Sequence, residues 1–327
     1  MSAAHAVFNP NQDLAMRHAN DRSIALCMVV KDEAARIADC LTPLLGTVDE
    51  VLVVDTGSSD GTPELLKEQF GITALNDRLH DGRCLTKIDV RNRVIAAART
   101  SWILSLDADE LIAPEAIKAF RKAPAAPDVA GYFGLWRNQI AGATPFDDYK
   151  CFLFRSDRRM RGLVHENVQS DLRAAGLVAH WLPELTVSHH PAPDRHRHKT
   201  ELYERRLRCA IRLEPGWHRY DWFLGYMLFQ QGRMDEAAAY LERAWTSGNP
   251  MFPVERLNSA MVLTEIHAYA GRIETALRLA AAAHAQWQAL AEEFEVRINH
   301  RLGPWFTAAQ AALAAGDPPV RAYRFAR

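Results

Sequence analysis

Short apolar runs that alternate with helical patterns constrain this chain more than any other feature. Residues 24–30 are continuously apolar, which is typical of a strand buried on both faces, and apolar residues then recur at helical spacing. Further strand patterns cover residues 51–56 and 102–110. Strands that alternate with helices predict a mostly parallel sheet with right-handed crossovers. We therefore expect an α/β, Rossmann-like domain over residues 23–194, after a tail at residues 1–22.

Residues 195–327 have a different pattern, which is helical and rich in alanine, leucine and arginine. The spacing of small and apolar residues matches that of tetratricopeptide helix pairs at Leu224, Gly225, Gly232, Ala237, Leu241 and Ala244. A weaker copy of the pattern follows at Leu263, Gly271, Ala276 and Ala283. The sequence thus predicts an all-α, tetratricopeptide-like second domain.

Charge and composition exclude several classes of partner. Lys plus Arg (39) nearly equals Asp plus Glu (40), so no global field favours binding to nucleic acid. The five cysteines form no C-x-x-C pair, and no apolar run reaches the roughly 20 residues of a membrane-spanning helix. We expect a cytoplasmic protein without a transmembrane segment, and a peripheral contact with the inner membrane is compatible with that. The oligomeric state is left open, a homodimer included.

Two acids stand at the end of the third strand pattern. Asp107 and Asp109 follow an apolar run and are separated by one residue. Alternate residues of a strand share a face, and two neighbouring carboxylates are tolerated where a divalent cation or a polyhydroxyl ligand compensates their repulsion. Mg²⁺ or Mn²⁺ suits such oxygen ligands and completes its shell with substrate phosphates. The competing interpretation is that these acids only cap the helix that begins near Pro114.

A turn rich in glycine and serine follows the second strand pattern at residues 55–62. Its two glycines permit a tight turn into a helix, so Asp55 is expected at the same edge of the sheet as Asp107. A carboxylate at that edge can accept hydrogen bonds from a base or a ribose. An ordinary strand-to-helix turn explains the same residues, and both interpretations stay open at this point.

Taken together, the ordered motifs resemble family 2 glycosyltransferases of the GT-A fold. The family's V-K-N-E, V-D-E-x-x-V-x-D-T-G-S-x-D-G-T, R-N, W-I-L-x-L-D-A-D-E, L-F-R and V-H-E motifs and its strand ending in histidine are matched in order by residues 30–33, 48–62, 91–92, 102–110, 153–155, 164–166 and 187–190. Two positions depart from the family: Asp32 replaces its asparagine, and Thr86-Lys87 replaces its usual D-F. A C-terminal tetratricopeptide unit is similar to one branch of the family, which includes bacterial peptide and lipopolysaccharide-core sugar transferases.

The resemblance implies a nucleotide-sugar donor, with UDP as the nucleotide. By position, Glu33 and Asp55 would hold the uracil and the ribose, and Asp107 would also touch the ribose. Arg91 would approach the pyrophosphate or the base, where a guanidinium suits anionic oxygens. Nucleotide contacts around residues 80–90 stay open, because this loop resembles the family least.

The resemblance also implies a metal-dependent reaction. Asp109 would ligate Mg²⁺ or Mn²⁺, which bridges the diphosphate and stabilises the departing nucleotide as a Lewis acid. One histidine at the end of the later strand, His189 or its neighbour His190, would complete the metal shell or contact the diphosphate. We take His189 as the candidate ligand, and a satisfied structural histidine is the competing interpretation.

Inversion at the anomeric carbon, which the resemblance implies, calls for one general base. Glu166 in the V-H-E motif is the candidate, and a base needs reach and a raised pKa. One alternative is that Glu166 pairs with an arginine at position 158, 159 or 161. The other is that His165 or Asp157 is the base.

The sequence therefore predicts a metal-dependent inverting hexosyltransferase that moves a sugar from a UDP donor to a peptide, protein or lipo-oligosaccharide acceptor. The alternative from another class is a non-catalytic interaction protein. In that case the helical repeat binds a partner, and the first domain is a relict nucleotide-sugar-binding domain. The retained acids argue against the relict.

Overall fold

The computed structural model describes residues 20–76, 86–124, 126–139, 145–191, 196–317 and 319–322. The chain divides into two compact units, residues 1–195 and 196–327. Nearly all of the expected N-terminal tail, and the part of the expected nucleotide loop at residues 77–85, lie outside the described residues.

The first unit contains the strands. They are β1 (Ile24–Val30), β2 (Glu50–Asp55), β3 (Leu75–Asn76), β4 (Trp102–Ser105), β5 (Glu110–Ile112), β6 (Val129–Asn138), β7 (Phe146–Arg155) and β8 (Val178–His189). Its helices are α1 (Ile37–Leu41), α2 (Thr62–Phe70), α3 (Thr86–Ala97), α4 (Pro114–Lys122) and α5 (Gln169–Ala174).

The described strands form one sheet in the order β3-β2-β1-β4-β7-β6-β8-β5. Strands β3, β2, β1 and β4 are parallel, as predicted. Strand β7 is antiparallel to both β4 and β6, β8 is parallel to β6, and β5 is antiparallel to β8. The α/β class is confirmed, but the sheet is mixed. The difference arises beyond β4, because β6 ends at Asn138 and β7 begins at Phe146, too close along the chain for the crossover of a dozen or more residues that a parallel pair needs.

The parallel half of the sheet sets the edge at which ligands bind in such folds. Strand β1 lies between β2 and β4, with Val30 opposite Asp55 and Cys27 opposite Ser105. Almost every residue of β1 and β4 is buried, because both faces of these strands are covered. The registers therefore bring the residues that follow β1, β2 and β4 to one edge.

The second unit is helical, and the tetratricopeptide-like pattern predicted for it is confirmed. Its helices are α6 (His196–Leu213), α7 (His218–Gln230), α8 (Met234–Trp245), α9 (Pro253–Tyr269), α10 (Ile273–Ala289), α11 (Phe294–Ile298) and α12 (Leu302–Ala315). Gly225 lets α7 approach α8 closely, since a Cβ there would lie 2.7 Å from the Leu241 side chain. The small residues Ala237 and Ala276 are likewise completely buried.

Within the described ranges, no helix combines the length and the apolar character that crossing a bilayer requires.

Candidate functional site

The edge between β1 and β2 is built from side chains that accept backbone hydrogen bonds. Asp32 has a left-handed φ of 52°, and its Oδ1 accepts a hydrogen bond from the Ser59 amide at 2.8 Å. Asparagine and aspartate both favour this conformation, so aspartate replaces the family's asparagine without loss of the turn. The neighbouring Glu33 is largely buried and pairs with Arg36, with 3.0 Å between Oε2 and Nε.

Asp55 is buried and satisfied mostly by its own turn. Its Oδ1 accepts hydrogen bonds from the amides of Gly57 at 2.8 Å and Ser58 at 2.9 Å, and the Ser58 hydroxyl donates to Oδ2. These bonds order the start of the connection to α2. The structure thus shows the strand-to-helix turn directly, and a role for Asp55 or Glu33 in nucleotide binding stays a prediction.

Strand β4 ends earlier than the sequence predicts, so Asp107 and Asp109 do not alternate along a strand. They lie in the short connection between Ser105, the last residue of β4, and Glu110, the first residue of β5. Glu110 is completely buried, and its carboxylate accepts hydrogen bonds from the Asp107 amide at 2.9 Å and from Lys150 Nζ at 2.7 Å. The buried carboxylate of Glu110 therefore helps to fix the backbone of the connection that carries Asp107.

Arg91 lies between two of the predicted site acids. Its Nη2 donates to Asp107 Oδ1 at 2.9 Å, its Nη1 donates to Ser105 Oγ at 3.2 Å, and its Nε lies 3.2 Å from Glu166 Oε1. Burial alone lowers the pKa of Arg91, but the carboxylates of Asp107 and Glu166 raise it above its usual value. Its two Nη atoms donate hydrogen bonds to protein oxygens, whereas Nε, although close to Glu166, is buried without a hydrogen-bond partner among the described residues. A contact of Arg91 with the pyrophosphate or the base stays a prediction.

Asp107 remains accessible although it is paired. Its side chain keeps 37% of its surface exposed, whereas that of Arg91 keeps 5%. Burial raises the pKa of Asp107, but Arg91 and, more weakly, Lys87 hold it well below its usual range. Asp107 is therefore an ionised carboxylate with room for one further donor, such as a hydroxyl group.

Glu166 is held by two cations. Its Oε1 lies 3.2 Å from Arg91 Nε and 3.5 Å from Lys87 Nζ, and its side chain is 13% exposed. Burial raises the pKa of Glu166, but Lys87 and Arg91 lower it further, to about 2. The raised pKa expected of a general base is thus wrong for this state, and the cations are Arg91 and Lys87 rather than an arginine at position 158, 159 or 161.

Those three arginines have other contacts. Arg158 pairs with Asp157 at 2.9 Å, Arg161 pairs with Asp171 at 2.9 Å, and Arg159 donates to the carbonyl of Ser156 at 2.8 Å. Asp157, the alternative base, is therefore engaged by a cation as well.

Asn92 anchors the segment that carries Glu166. Its Nδ2 donates to the Met160 carbonyl at 3.0 Å, and its Oδ1 accepts from the Met160 amide at 2.9 Å. The backbones of Arg161 and Asn167 then exchange two hydrogen bonds, which close the loop that contains Glu166. Adjacent residues of α3 thus act together, Arg91 on the side chain of Glu166 and Asn92 on the backbone of its loop.

The structure brings Asp109 and His189 together, with 3.6 Å between Oδ2 and Nε2. The pairing of β5 with β8 places Glu110 opposite His189, and the His190 amide donates to the Asp109 carbonyl at 2.9 Å. Burial raises the pKa of Asp109, but the facing imidazole lowers it, and the net pKa lies below the usual value. His190 is exposed and His189 is not, so of the two candidate histidines His189 faces the acid.

This pair fits Mg²⁺ or Mn²⁺ only if a substrate supplies further ligands. Among the described residues, no three side chains of His, Cys, Asp or Glu converge on one point. Adjacent ligands of an octahedral ion at about 2.1 Å lie roughly 3 Å apart, close to the separation of Asp109 and His189. Mg²⁺ is usually bound by one or two carboxylates together with substrate phosphates. One carboxylate and one imidazole therefore match an ion shared with a diphosphate.

Residues 25–169 match the protein family described as Glycosyl transferase family 2. The first unit carries a family 2 glycosyltransferase domain. The match begins in β1 and ends at the start of α5, so it includes Glu166 but not His189. The predicted GT-A fold and the assignment of the domain to the transferases agree with this membership.

Relatives of this glycosyltransferase domain extend over more of the chain. A TPR repeat-containing protein of Synechococcus elongatus is 29% identical over 294 residues, which cover 86% of this chain and 69% of that protein. The SPbeta prophage-derived glycosyltransferase SunS of Bacillus subtilis is 24% identical over 240 residues, which cover 68% of this chain and 53% of SunS. The chain thus spans about half the length of SunS. A crystal structure of S. aureus TarS 1–349 in complex with UDP-GlcNAc covers 90% of this chain and 92% of its own, at 12% identity and a TM-score of 0.43.

Several residues of the candidate site were not assigned a role from the sequence. Lys87 stood out only as a departure from the family motif, and Asn92 only as the second residue of the R-N pair. Asn138, whose Oδ1 lies 2.7 Å from His189 Nδ1, carried no local signal at all. Asn92 could have been linked to Arg91 because the two are adjacent in the sequence. Asn138 could not have been linked to His189, because only the pairing of β6 and β8 brings them together.

Proposed function

We propose that this protein transfers a sugar from a UDP-linked donor to an acceptor, with inversion of configuration and with Mg²⁺ or Mn²⁺ held by Asp109 and His189. One observation carries the proposal. In a family 2 glycosyltransferase domain, an ionised aspartate and a histidine face each other at 3.6 Å, and the accessible carboxylate of Asp107 is two residues away. The cation, when bound, would supply Lewis-acid stabilisation of the departing diphosphate.

The nucleotide is proposed to bind where β1, β2 and β4 end. Asp107 offers an exposed carboxylate for a ribose hydroxyl, and Arg91 keeps that carboxylate ionised and oriented. Glu33 and Asp55 lie after β1 and β2 and are proposed to border the base and the ribose. Uridine as the nucleoside is carried over from the resemblance of the motifs to the family.

Glu166 is proposed as the base that accepts the proton of the acceptor. In the structure its carboxylate is stabilised by Lys87 and Arg91 and is therefore a weak base. The side chain of Lys87 is 47% exposed, so its ion pair with Glu166 is exchangeable. An anionic donor that draws Lys87 away would raise the pKa of Glu166 and strengthen it as a base.

The tetratricopeptide-like unit is proposed to help bind the acceptor, a peptide, a protein or a lipo-oligosaccharide. The chemistry of the acceptor does not affect the donor half of the reaction, because metal, nucleotide and leaving group are handled by the first unit. Mass spectrometry of candidate acceptors after incubation with a panel of nucleotide sugars tests the two acceptor classes together.

The decisive experiment measures UDP release with Mn²⁺ or Mg²⁺ for the wild type and for Asp109→Ala. We expect release to depend on the ion and to be abolished in this variant. Asp147→Ala is the matched control, since Asp147 is an exposed acid of β7 that pairs only at the surface with Arg137. Full activity of Asp109→Ala would refute the metal assignment. Failure of the wild type to bind any nucleotide sugar in a thermal-shift panel would instead favour the relict interaction protein.

A further inference from the structure

Asn138 is a buried polar residue at the end of β6, and it faces the proposed metal ligand. It is 2% exposed and lies opposite His189 in the parallel pairing of β6 and β8. Its Oδ1 lies 2.7 Å from His189 Nδ1, and its Nδ2 donates to the Trp136 carbonyl at 3.2 Å. Both ends of the amide are therefore engaged.

These two contacts determine which nitrogen of His189 carries the hydrogen. A backbone carbonyl can only accept, so the amide group that meets the Trp136 carbonyl must be Nδ2, and Oδ1 must face the imidazole. An amide oxygen is also only an acceptor, so His189 Nδ1 must donate to it. In the neutral ring Nε2 is then left with its lone pair.

That lone pair points towards a carboxylate. His189 Nε2 lies 3.6 Å from Asp109 Oδ2, and both atoms are electron-pair donors when the ring is neutral. Two such atoms repel each other unless a proton, as in the charged imidazolium, or a metal cation lies between them. The arrangement thus prepares two ligands for one cation before the cation arrives.

The ring of His189 is also restrained in its rotation. The Trp136 ring stacks on it with a centroid separation of 4.8 Å and an interplanar angle of 29°. The backbone of His189 is fixed as well, because its carbonyl accepts a hydrogen bond from the Gln139 amide at 3.0 Å. A turn of the ring would break the stacking and the bond to Asn138 together.

We propose that Asn138 is a positioning residue that holds His189 in the tautomer with a free Nε2 and so preorganises it as a metal ligand. The proposal rests on the function proposed above, since it presupposes a divalent cation at Asp109 and His189. Asn138 itself does not touch the cation. Loss of such a partner of a ligating histidine typically weakens metal binding about 10- to 100-fold.

The test is a titration of the full chain with Mn²⁺ in the presence of UDP, followed by the loss of the free-ion signal in electron paramagnetic resonance. Asn138→Leu keeps the approximate volume but cannot accept from Nδ1, and we expect it to weaken Mn²⁺ binding about 10- to 100-fold. Asn138→Asp keeps an acceptor and should bind Mn²⁺ much more tightly than the leucine variant. Asn258→Leu is the control, because Asn258 is 6% exposed and lies on α9 of the second unit.

A second measurement uses the wild type and therefore does not depend on whether the Asn138 variants fold. Nitrogen-15 spectra of histidine-labelled, metal-free wild type, recorded at a pH where the ring is neutral, should show His189 protonated at Nδ1. The signal is assigned by its absence in His189→Gln. A ring protonated at Nε2 would overturn the proposal whatever the variants do.

The outcomes separate this inference from the proposed function. If the wild type binds Mn²⁺ and Asn138→Leu binds it equally well, the role of Asn138 is refuted and the metal site stands. If the wild type binds no Mn²⁺ with UDP present, both the metal assignment and the role of Asn138 are refuted.

Discussion

Loss of the Arg91 side chain should strongly destabilise the first unit. Its guanidinium is 5% exposed and lies 2.9 Å from Asp107 and 3.2 Å from Glu166. Arg91→Met keeps much of the volume but leaves both carboxylates without their shared cation. Removal of one partner of a buried ion pair costs about 3–5 kcal/mol, because an uncompensated charge stays buried.

The pKa of Glu166 leads to a similar magnitude. Lys87 and Arg91 lower it from 4.5 to about 2, against the opposing effect of burial. That difference corresponds to roughly 3 kcal/mol of unfolding free energy, at about 1.4 kcal/mol per pKa unit. Lys87 is half exposed and screened by water, so we assign the larger part to Arg91.

The sign of the pH dependence follows from the lowered pKa. Stabilisation by the ionised Glu166 is fully present above pH 4.5 and is lost as the pH falls from there towards about 2. The cost of Arg91→Met should therefore be largest at neutral pH. Through Glu166 alone, that cost should shrink by at most about 1.4 kcal/mol for each pH unit between about 4.5 and 2, and it should not change further at lower pH.

Urea unfolding followed by hydrogen exchange of peptides from β4 reports on the first unit specifically, because β4 belongs to its core. The control is Arg137→Met, whose ion pair with Asp147 is exposed, with side chains at 46% and 43% of their full surface. That variant should cost no more than about 1 kcal/mol. A cost for Arg91→Met as small as that of the control, or one that does not decrease at acidic pH, would refute this account of the cluster.

Three further predictions concern other parts of the molecule. Glu166→Gln should keep donor binding in calorimetry but lower transfer about 10²- to 10⁴-fold, and unchanged transfer would place the base elsewhere. Asn92→Ala removes both hydrogen bonds to Met160 and should lower transfer more than donor affinity; equal losses of both would contradict a role confined to the loop. Gly225→Ala should destabilise the second unit by about 1–3 kcal/mol in urea unfolding, whereas Gly248→Ala, which meets no atom within 4 Å, should not.

The parallel half of the sheet was predictable because its signals are local. The continuous apolar run of β1 and the acids that follow β4 can be recognised from a few consecutive residues, and the parallel topology then brings Asp55 and Asp107 to one edge. The antiparallel half was not predicted, because β7 inserts between β4 and β6 through pairings that no local pattern encodes. The same limit explains why Asn138 escaped the sequence analysis.

The role of Arg91 shows a different limit. Its charge correctly suggested a partner with anionic oxygens, but the sequence could not show that the protein itself supplies them. Asp107 and Glu166 both reach its guanidinium. An arginine near acids along the chain is equally compatible with ligand binding and with internal pairing, and only burial distinguishes the two.

The pairing of acids with lysines and arginines in the candidate site indicates which acid would gain most from a bound metal cation. In the described part of the site, Asp107, Glu110 and Glu166 are matched by Arg91, Lys150 and Lys87. Among its ion pairs with the described residues, Asp109 has no lysine or arginine and faces only the ring of His189, which is charged only when it is protonated. A divalent ion at this point would neutralise Asp109 and leave positive charge for a diphosphate, whereas at Asp107 it would meet the buried guanidinium of Arg91. Electrostatics therefore supports the division of roles that the family resemblance implies, with Asp107 proposed to contact a hydroxyl group and Asp109 proposed to hold the metal.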